Sequence, residues 1–133
     1  MSFFKNLFSP AKKEKEVEPI DMSTVCVDIH SHLIPGIDDG AKDMEDAISL
    51  IEQLIRFGYR NIITTPHIYK EIYPNTSQII LEGEKKVQEE LRKRNIDVHF
   101  KAAAEYFLDE HFMNLLKAKD ILTWGENYLL FEL

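Results

Sequence analysis

From residue 24 onward, apolar and polar positions follow two rhythms that take turns along the chain. Residues 25–30 are a β-branched run alternating with a period of two, which predicts a strand. Met44, Ala47, Ile48, Ile51, Leu54 and Ile55 then share one helical face, behind Asp43 as N-cap and ahead of Gly58 at a C′ position. Residues 61–65 predict a second strand, ended by Pro66. Asn75 or Thr76 opens a long helix through about Arg94 that buries Ile79, Ile80, Val87 and Leu91. Residues 98–106 predict a third strand, residues 109–116 a short helix and residues 128–133 a fourth strand. Strands alternating with helices predict an α/β fold of parallel βα units. Right-handed crossovers place the C-terminal end of every strand on one rim, where α/β proteins carry their chemistry.

Residues 1–24 read as a flexible Lys/Glu-rich leader, and residues 25–133 as the domain. Phe3, Phe4, Leu7 and Phe8 share a helical face around Lys5, and a Lys/Glu run ending in Pro19 follows with linker composition. Two readings stay open for residues 1–10: a helix making a weak membrane-surface contact, and a frayed terminus.

Composition narrows the picture further. A length of 133 residues suits one domain and not two. The single cysteine excludes an internal disulfide framework and a cysteine-built zinc site. No apolar run approaches the ~18 residues that span a bilayer, and no secretory h-region is present, so the chain reads as cytoplasmic. The charge of −7 falls wholly on residues 25–133, because four lysines and four acids cancel in residues 1–24. An acidic body disfavours nucleic-acid binding and suits the collection of cations.

The rim then receives a specific set of side chains. A period of two puts Asp28, His30 and His32 on one side, so both imidazoles converge. Neutral imidazole is a common ligand for zinc, iron or manganese, oriented by a nearby carboxylate. The second strand is followed by His67, the third reaches Glu105 and the fourth reaches Glu132; the loop after the first adds Asp38 and Asp39. One histidine near a strand end is ordinary, but imidazoles and carboxylates converging from four strands call for a shared cluster of divalent ions. His99, at the far end of its strand from Glu105, and His111, without a partner, read as structural. Cys26, at the start of the first strand, reads as a buried core residue and not a phosphatase nucleophile.

Asp28-Ile29-His30-Ser31-His32, Pro35-Gly36-Ile37-Asp38-Asp39-Gly40-Ala41, Ile63-Thr64-Thr65-Pro66-His67, Ala104-Glu105-Tyr106 and Leu130-Phe131-Glu132-Leu133 occur in that order. This set resembles the N-terminal motifs of the polymerase and histidinol phosphatase (PHP) superfamily, most of all its bacterial tyrosine-phosphatase branch associated with capsular and exopolysaccharide synthesis. The resemblance covers about residues 25–133. It implies a distorted (β/α)7 TIM-like barrel holding up to three divalent metal ions, manganese first, with iron or zinc as alternatives. His30 and His32 match the pair on the first metal, and Glu105 matches the carboxylate bridging the first and second. Glu132 matches a further ligand of the second, and Asp39 and His67 match ligands of the third. The catalytic assignments fall on His67 and Asp39, with the proton for the leaving group coming from His67 or from a later histidine. The implied activity is hydrolysis of phosphotyrosine on the tail of a membrane-attached bacterial tyrosine kinase, in the cytoplasm or peripheral to the inner membrane. A small-molecule phosphoesterase of the histidinol-phosphate type and a non-catalytic metal- or partner-binding protein are the alternatives. A later histidine, a late Asp-x-His and phosphate-gripping arginines belong to the pattern and lie outside these motifs. The expectation is therefore the first half of the barrel, with open edges that favour a homo-oligomer.

Overall fold

The computed structural model describes residues 20–133. In chain order the elements are β1 (Val27–Asp28), α1 (Met44–Arg56), β2 (Asn61–Thr64), β3 (His67–Ile68), α2 (Ser77–Lys93), β4 (His99–Ala102), β5 (Glu105–Phe107), α3 (Glu110–Ala118) and β6 (Leu130–Glu132). They pair in the orders β1-β2-β4 and β3-β5-β6, and every one of these ladders is parallel. This is the expected α/β architecture, an arc of parallel βα units. The leader expected over residues 1–24 lies outside the described residues except at its end, as does the membrane contact expected of residues 1–10. At that end the Met22 N–H donates to the Phe57 carbonyl at 2.6 Å, tying the segment to the end of α1.

The second strand, expected to end at Pro66, resumes beyond it as β3, and the third expected strand is divided in two at the same level. Thr64 pairs with Ala102 below the break and His67 pairs with Glu105 above it. Pro66 has no N–H to give the ladder. The Thr65 N–H turns instead to the Ser31 carbonyl at 2.7 Å, while Ala103 and Glu105 donate to the Thr64 and Pro66 carbonyls at 2.9 and 3.1 Å. Residues 103–104 break because their partners do. The first strand is also shorter than expected. Val25 and Cys26 belong to a turn in which both N–H groups donate to the Met22 carbonyl, and Cys26 adopts a left-handed φ of 60°. Its side chain is half-buried, not part of the core.

The helices follow their caps. Asp43, Thr76 and Asp109 each accept a hydrogen bond from the N–H three residues on, opening α1, α2 and α3. Gly58 closes α1 with φ of 103°, where a Cβ would lie 2.6 Å from the Ser23 nitrogen. On α2 the buried stripe is Ile80, Gly83, Glu84, Val87 and Leu91. Ile79, expected inside, is 40% exposed. The stripe is turned because Gly83 seats the helix against Ile34, whose Cγ2 would be 2.2 Å from a Cβ there.

Two apolar clusters lie against the two sheets. Leu33, Ile34, Ile48, Ile51, Ile62, Val87, Leu91 and Phe100 form the first; Ile68, Ile80, Ala104, Tyr106 and Phe112 form the second. Tyr106 is wholly buried, and its oxygen accepts the Leu122 N–H at 2.7 Å. Burial pushes its phenol up to about 12, against the opposing effect of that hydrogen bond and with some help from Asp120. A folded-state value above the unfolded one, near 10, gives a contribution that is complete below about pH 10 and lost as pH rises toward 12. The expected loss is roughly 2–3 kcal/mol. Denaturant titrations from about pH 9 to about pH 12, on the chain and on Tyr106→Phe, check this: the excess loss is expected only where the phenol is present.

Candidate metal centre

Beyond β1 the chain from His30 to Leu33 is held by Thr64, the last residue of β2, and by Thr65 next to it. The Thr64 hydroxyl donates to the Ser31 carbonyl and accepts the Leu33 N–H, both at 2.8 Å. Thr65 Oγ1 lies 3.1 Å from His30 Nδ1. The loop from Gly36 then folds back flush against His32. The Ala41 N–H donates to the His32 carbonyl at 2.9 Å, and a Cβ on Gly40 would lie 2.1 Å from that oxygen. Only glycine allows this approach, and it returns the two acids of the loop over the strand ends.

Those two acids have opposite fates. The Asp38 side chain is fully buried. Its carboxylate meets His32 Nδ1 at 2.9 Å and accepts the N–H groups of His67 and Gly40, both at 3.0 Å. Burial alone would raise the Asp38 carboxyl, but these bonds and the facing imidazole hold it below its ordinary value. Burial would likewise lower His32, yet the Asp38 bond and the charges of Asp38, Glu105 and Asp39 lift it above its ordinary value. With Asp38 ionised, Nδ1 of His32 carries a proton and donates to it, while Nε2 faces Glu105 Oε2, 3.3 Å away. Asp39 stays 61% exposed, facing His32 Nδ1 at 3.5 Å and His67 Nε2 at 3.6 Å.

β3 and β5 open on His67 and Glu105, side by side in register. β6 brings Glu132 opposite Phe107. Nδ1 of His67 lies 3.5 Å from Glu105 Oε2 and 3.2 Å from Glu132 Oε1, and His30 Nε2 lies 4.0 Å from Glu105 Oε1. Tyr73 stacks on the His67 ring; burial, then Asp39, Asp38 and Glu132, raise its phenol. All six residues expected at the site, His30, His32, Asp39, His67, Glu105 and Glu132, line one open cavity of about 430 Å³ together with Gly40. His99 is exposed at the opposite end of its strand, and His111 opens α3 away from the cavity lining.

Within the cavity two sets bring one ligand atom each to within 4.8 Å of one another: His30, His32 and Glu105, and His32, Asp39 and His67. His32 is common to both. The Nδ1 atom of His67 is buried without a hydrogen-bond partner, an arrangement that leaves a lone pair or a proton uncompensated. Two imidazoles and a carboxylate make a donor set suited to manganese, iron or zinc. The residues present therefore fit a divalent cation. The sequence reading placed Asp38 only as a loop acid and passed over Thr65 and Tyr73. The one signal for Asp38 is its place beside Asp39 ahead of Gly40, since nothing in the order of two identical residues tells which is buried.

A sequence model of the CpsB/CapC family, described as capsular polysaccharide synthesis, matches residues 26–133. Tyrosine-protein phosphatase YwqE of Bacillus subtilis is 31% identical over 107 residues, covering 80% of this chain and 42% of that protein. Tyrosine-protein phosphatase CpsB of Streptococcus agalactiae is 34% identical over 97 residues, 73% of this chain and 40% of that protein. The crystal structures of YwqE from Bacillus subtilis and CpsB from Streptococcus pneumoniae, described as unique metal-dependent tyrosine phosphatases, include a chain of the same fold. The TM-score is 0.70 at 28% identity, over 80% of this chain and 44% of that one. The chain thus spans less than half the length of the curated relatives it matches.

Proposed function

Because the chain belongs to the CpsB/CapC family of capsular polysaccharide synthesis, we propose that it carries the metal-binding face of a metal-dependent protein-tyrosine phosphatase. The observation that supports this reading is the convergence of His30, His32, Asp39, His67, Glu105 and Glu132 on one open cavity, with a buried imidazole nitrogen left unpartnered. His30, His32 and Glu105 would hold one cation, with Glu105 shared toward a second that Glu132 also faces; Asp39 and His67 would hold a third. Divalent ions in those places, manganese first and iron or zinc as alternatives, supply Lewis acidity toward phosphoryl oxygens and ease the deprotonation of water.

The chain's own residues do the rest. Asp38 fixes the tautomer and ring plane of His32, and Thr65 braces His30. Asp39 and His67 form a carboxylate–imidazole pair 3.6 Å apart, and Asp39 opens to solvent. The proton for a departing phenolate would come from His67, through the nitrogen that the cation leaves free, or from a later histidine. An open cavity suits a phosphotyrosine presented on a flexible chain, and the substrate we assign is the phosphotyrosine tail of a membrane-attached bacterial tyrosine kinase, met on the cytoplasmic side. No described helix is long and apolar enough to cross a membrane.

Phosphate release from a phosphotyrosyl peptide and from histidinol phosphate, measured side by side with manganese, tests the reading. Turnover of the peptide is expected, with loss of rate by orders of magnitude on chelation and recovery on adding manganese back. Alkylation of Cys26 is expected to leave the rate intact, because the cysteine lies in the turn before β1, away from the cavity. Turnover of histidinol phosphate alone would assign a small-molecule phosphoesterase. Manganese binding without turnover of either would leave a non-catalytic metal-binding protein.

A further inference from the structure

We propose that Tyr73 is a positioning residue for His67, holding the imidazole by ring stacking and not through its hydroxyl; this rests on reading the cavity as a metal site. The three histidines of the cavity are held in different ways. His30 has Thr65 on its Nδ1 and His32 has Asp38 on its Nδ1. Nδ1 of His67 has no hydrogen bond, and its Nε2 faces only the exposed Asp39 at 3.6 Å. Nδ1 faces the Glu132 and Glu105 carboxylates at 3.2 and 3.5 Å outside hydrogen-bond geometry, so no hydrogen bond fixes the rotation of the His67 ring.

A flat ring does so instead. Tyr73 lies 5.1 Å from His67 between centroids, with the two planes 8° apart. A contact of that kind restricts the imidazole to one plane without using either nitrogen, which keeps both for other partners. Tyr73 is itself pinned. Its N–H donates to the Tyr69 carbonyl at 2.7 Å, and its carbonyl accepts the N–H groups of Tyr69 at 3.0 Å and Asn75 at 2.7 Å. The buried Asn75 amide then donates to the His67 carbonyl at 2.8 Å and to the Ile37 carbonyl at 2.9 Å. The loop over residues 69–75 thus grips His67 twice, by its carbonyl through Asn75 and by its ring through Tyr73.

The test is run on the 133-residue chain and on Tyr73→Phe and Tyr73→Leu. In the metal-free protein the His32 and His67 rings meet edge to face with centroids 4.5 Å apart, so cross-relaxation between their ring protons reports the orientation of His67. It is expected to persist in Tyr73→Phe and to be lost in Tyr73→Leu. Calorimetric titration with zinc is expected to show about tenfold weaker binding for Tyr73→Leu, with Tyr73→Phe matching the parent. Leu and parent behaving alike in both measurements would overturn the proposal. Loss in Tyr73→Phe equal to that in Tyr73→Leu would also overturn it, by assigning the effect to the hydroxyl. A chain that takes up no zinc, yet loses the cross-relaxation only in Tyr73→Leu, would uphold the role of Tyr73 and overturn the metal-site reading.

Discussion

His32→Ala is expected to empty the cavity of metal, while His30→Ala removes only part of it. His32 belongs to both groups of converging ligand atoms, whereas His30 belongs to one. Its two nitrogens face Glu105 at 3.3 Å and the paired acids Asp38 and Asp39 at 2.9 and 3.5 Å. Losing the ring also leaves the buried Asp38 carboxylate without its imidazole, so the remaining acids repel one another more strongly. The expected drop in manganese affinity exceeds the ~10–100-fold typical of losing a supporting hydrogen bond. Metal content of the purified variants and calorimetric titration with manganese check this. His99→Ala and His111→Ala are expected to bind as the parent does. Parental stoichiometry in His32→Ala would show that the two groups do not share this residue.

Asp38→Ala is expected to be the most damaging change at a residue that holds no metal. The carboxylate meets three partners on three segments: the His32 ring, the Gly40 N–H and the His67 N–H. Removing it strands two backbone donors in a buried place and frees the His32 ring to turn. A stranded buried donor costs about 1–3 kcal/mol, so a loss of roughly 3 kcal/mol in unfolding free energy is expected. A fall of ~10–100-fold in metal affinity accompanies it. Asp39→Ala separates the two effects. Its side chain is 61% exposed and holds no backbone donor, so the variant is expected to lose metal affinity with little change in stability. Equal destabilisation by the two alanines would refute the division of labour between the neighbouring acids.

The cavity residues were legible because they sit where strand periodicity and the βα order place them, at the ends of strands that reach one rim. The helix cap at Asp43 was legible for a local reason: it accepts a hydrogen bond from a residue three positions away. What could not be read depends on partners distant in sequence. The break at Pro66 carries a local signal, but the matching break at residues 103–104 has none and exists because β2 stops beside it. Ile79 and Ile80 are equally apolar neighbours, and the contact between Gly83 and Ile34 decides which of them is buried. Asp38 and Asp39 are told apart only by the fold of the loop over His32. Tyr73 lies six residues past His67, and only the paired turn between Tyr69 and Tyr73 lays one ring on the other.

The interruption of adjacent strands at one level divides the molecule into a base and an upper storey. The base has its own three strands and its own apolar cluster, with the larger share of wholly buried aliphatic side chains. The upper storey carries His67, Glu105 and Glu132 on strands of two and three residues. Elements with so few ladder bonds open at low free energy, in units smaller than the whole fold. Amide hydrogen exchange is therefore expected to be slower in the base than in the short strands that carry the cavity residues.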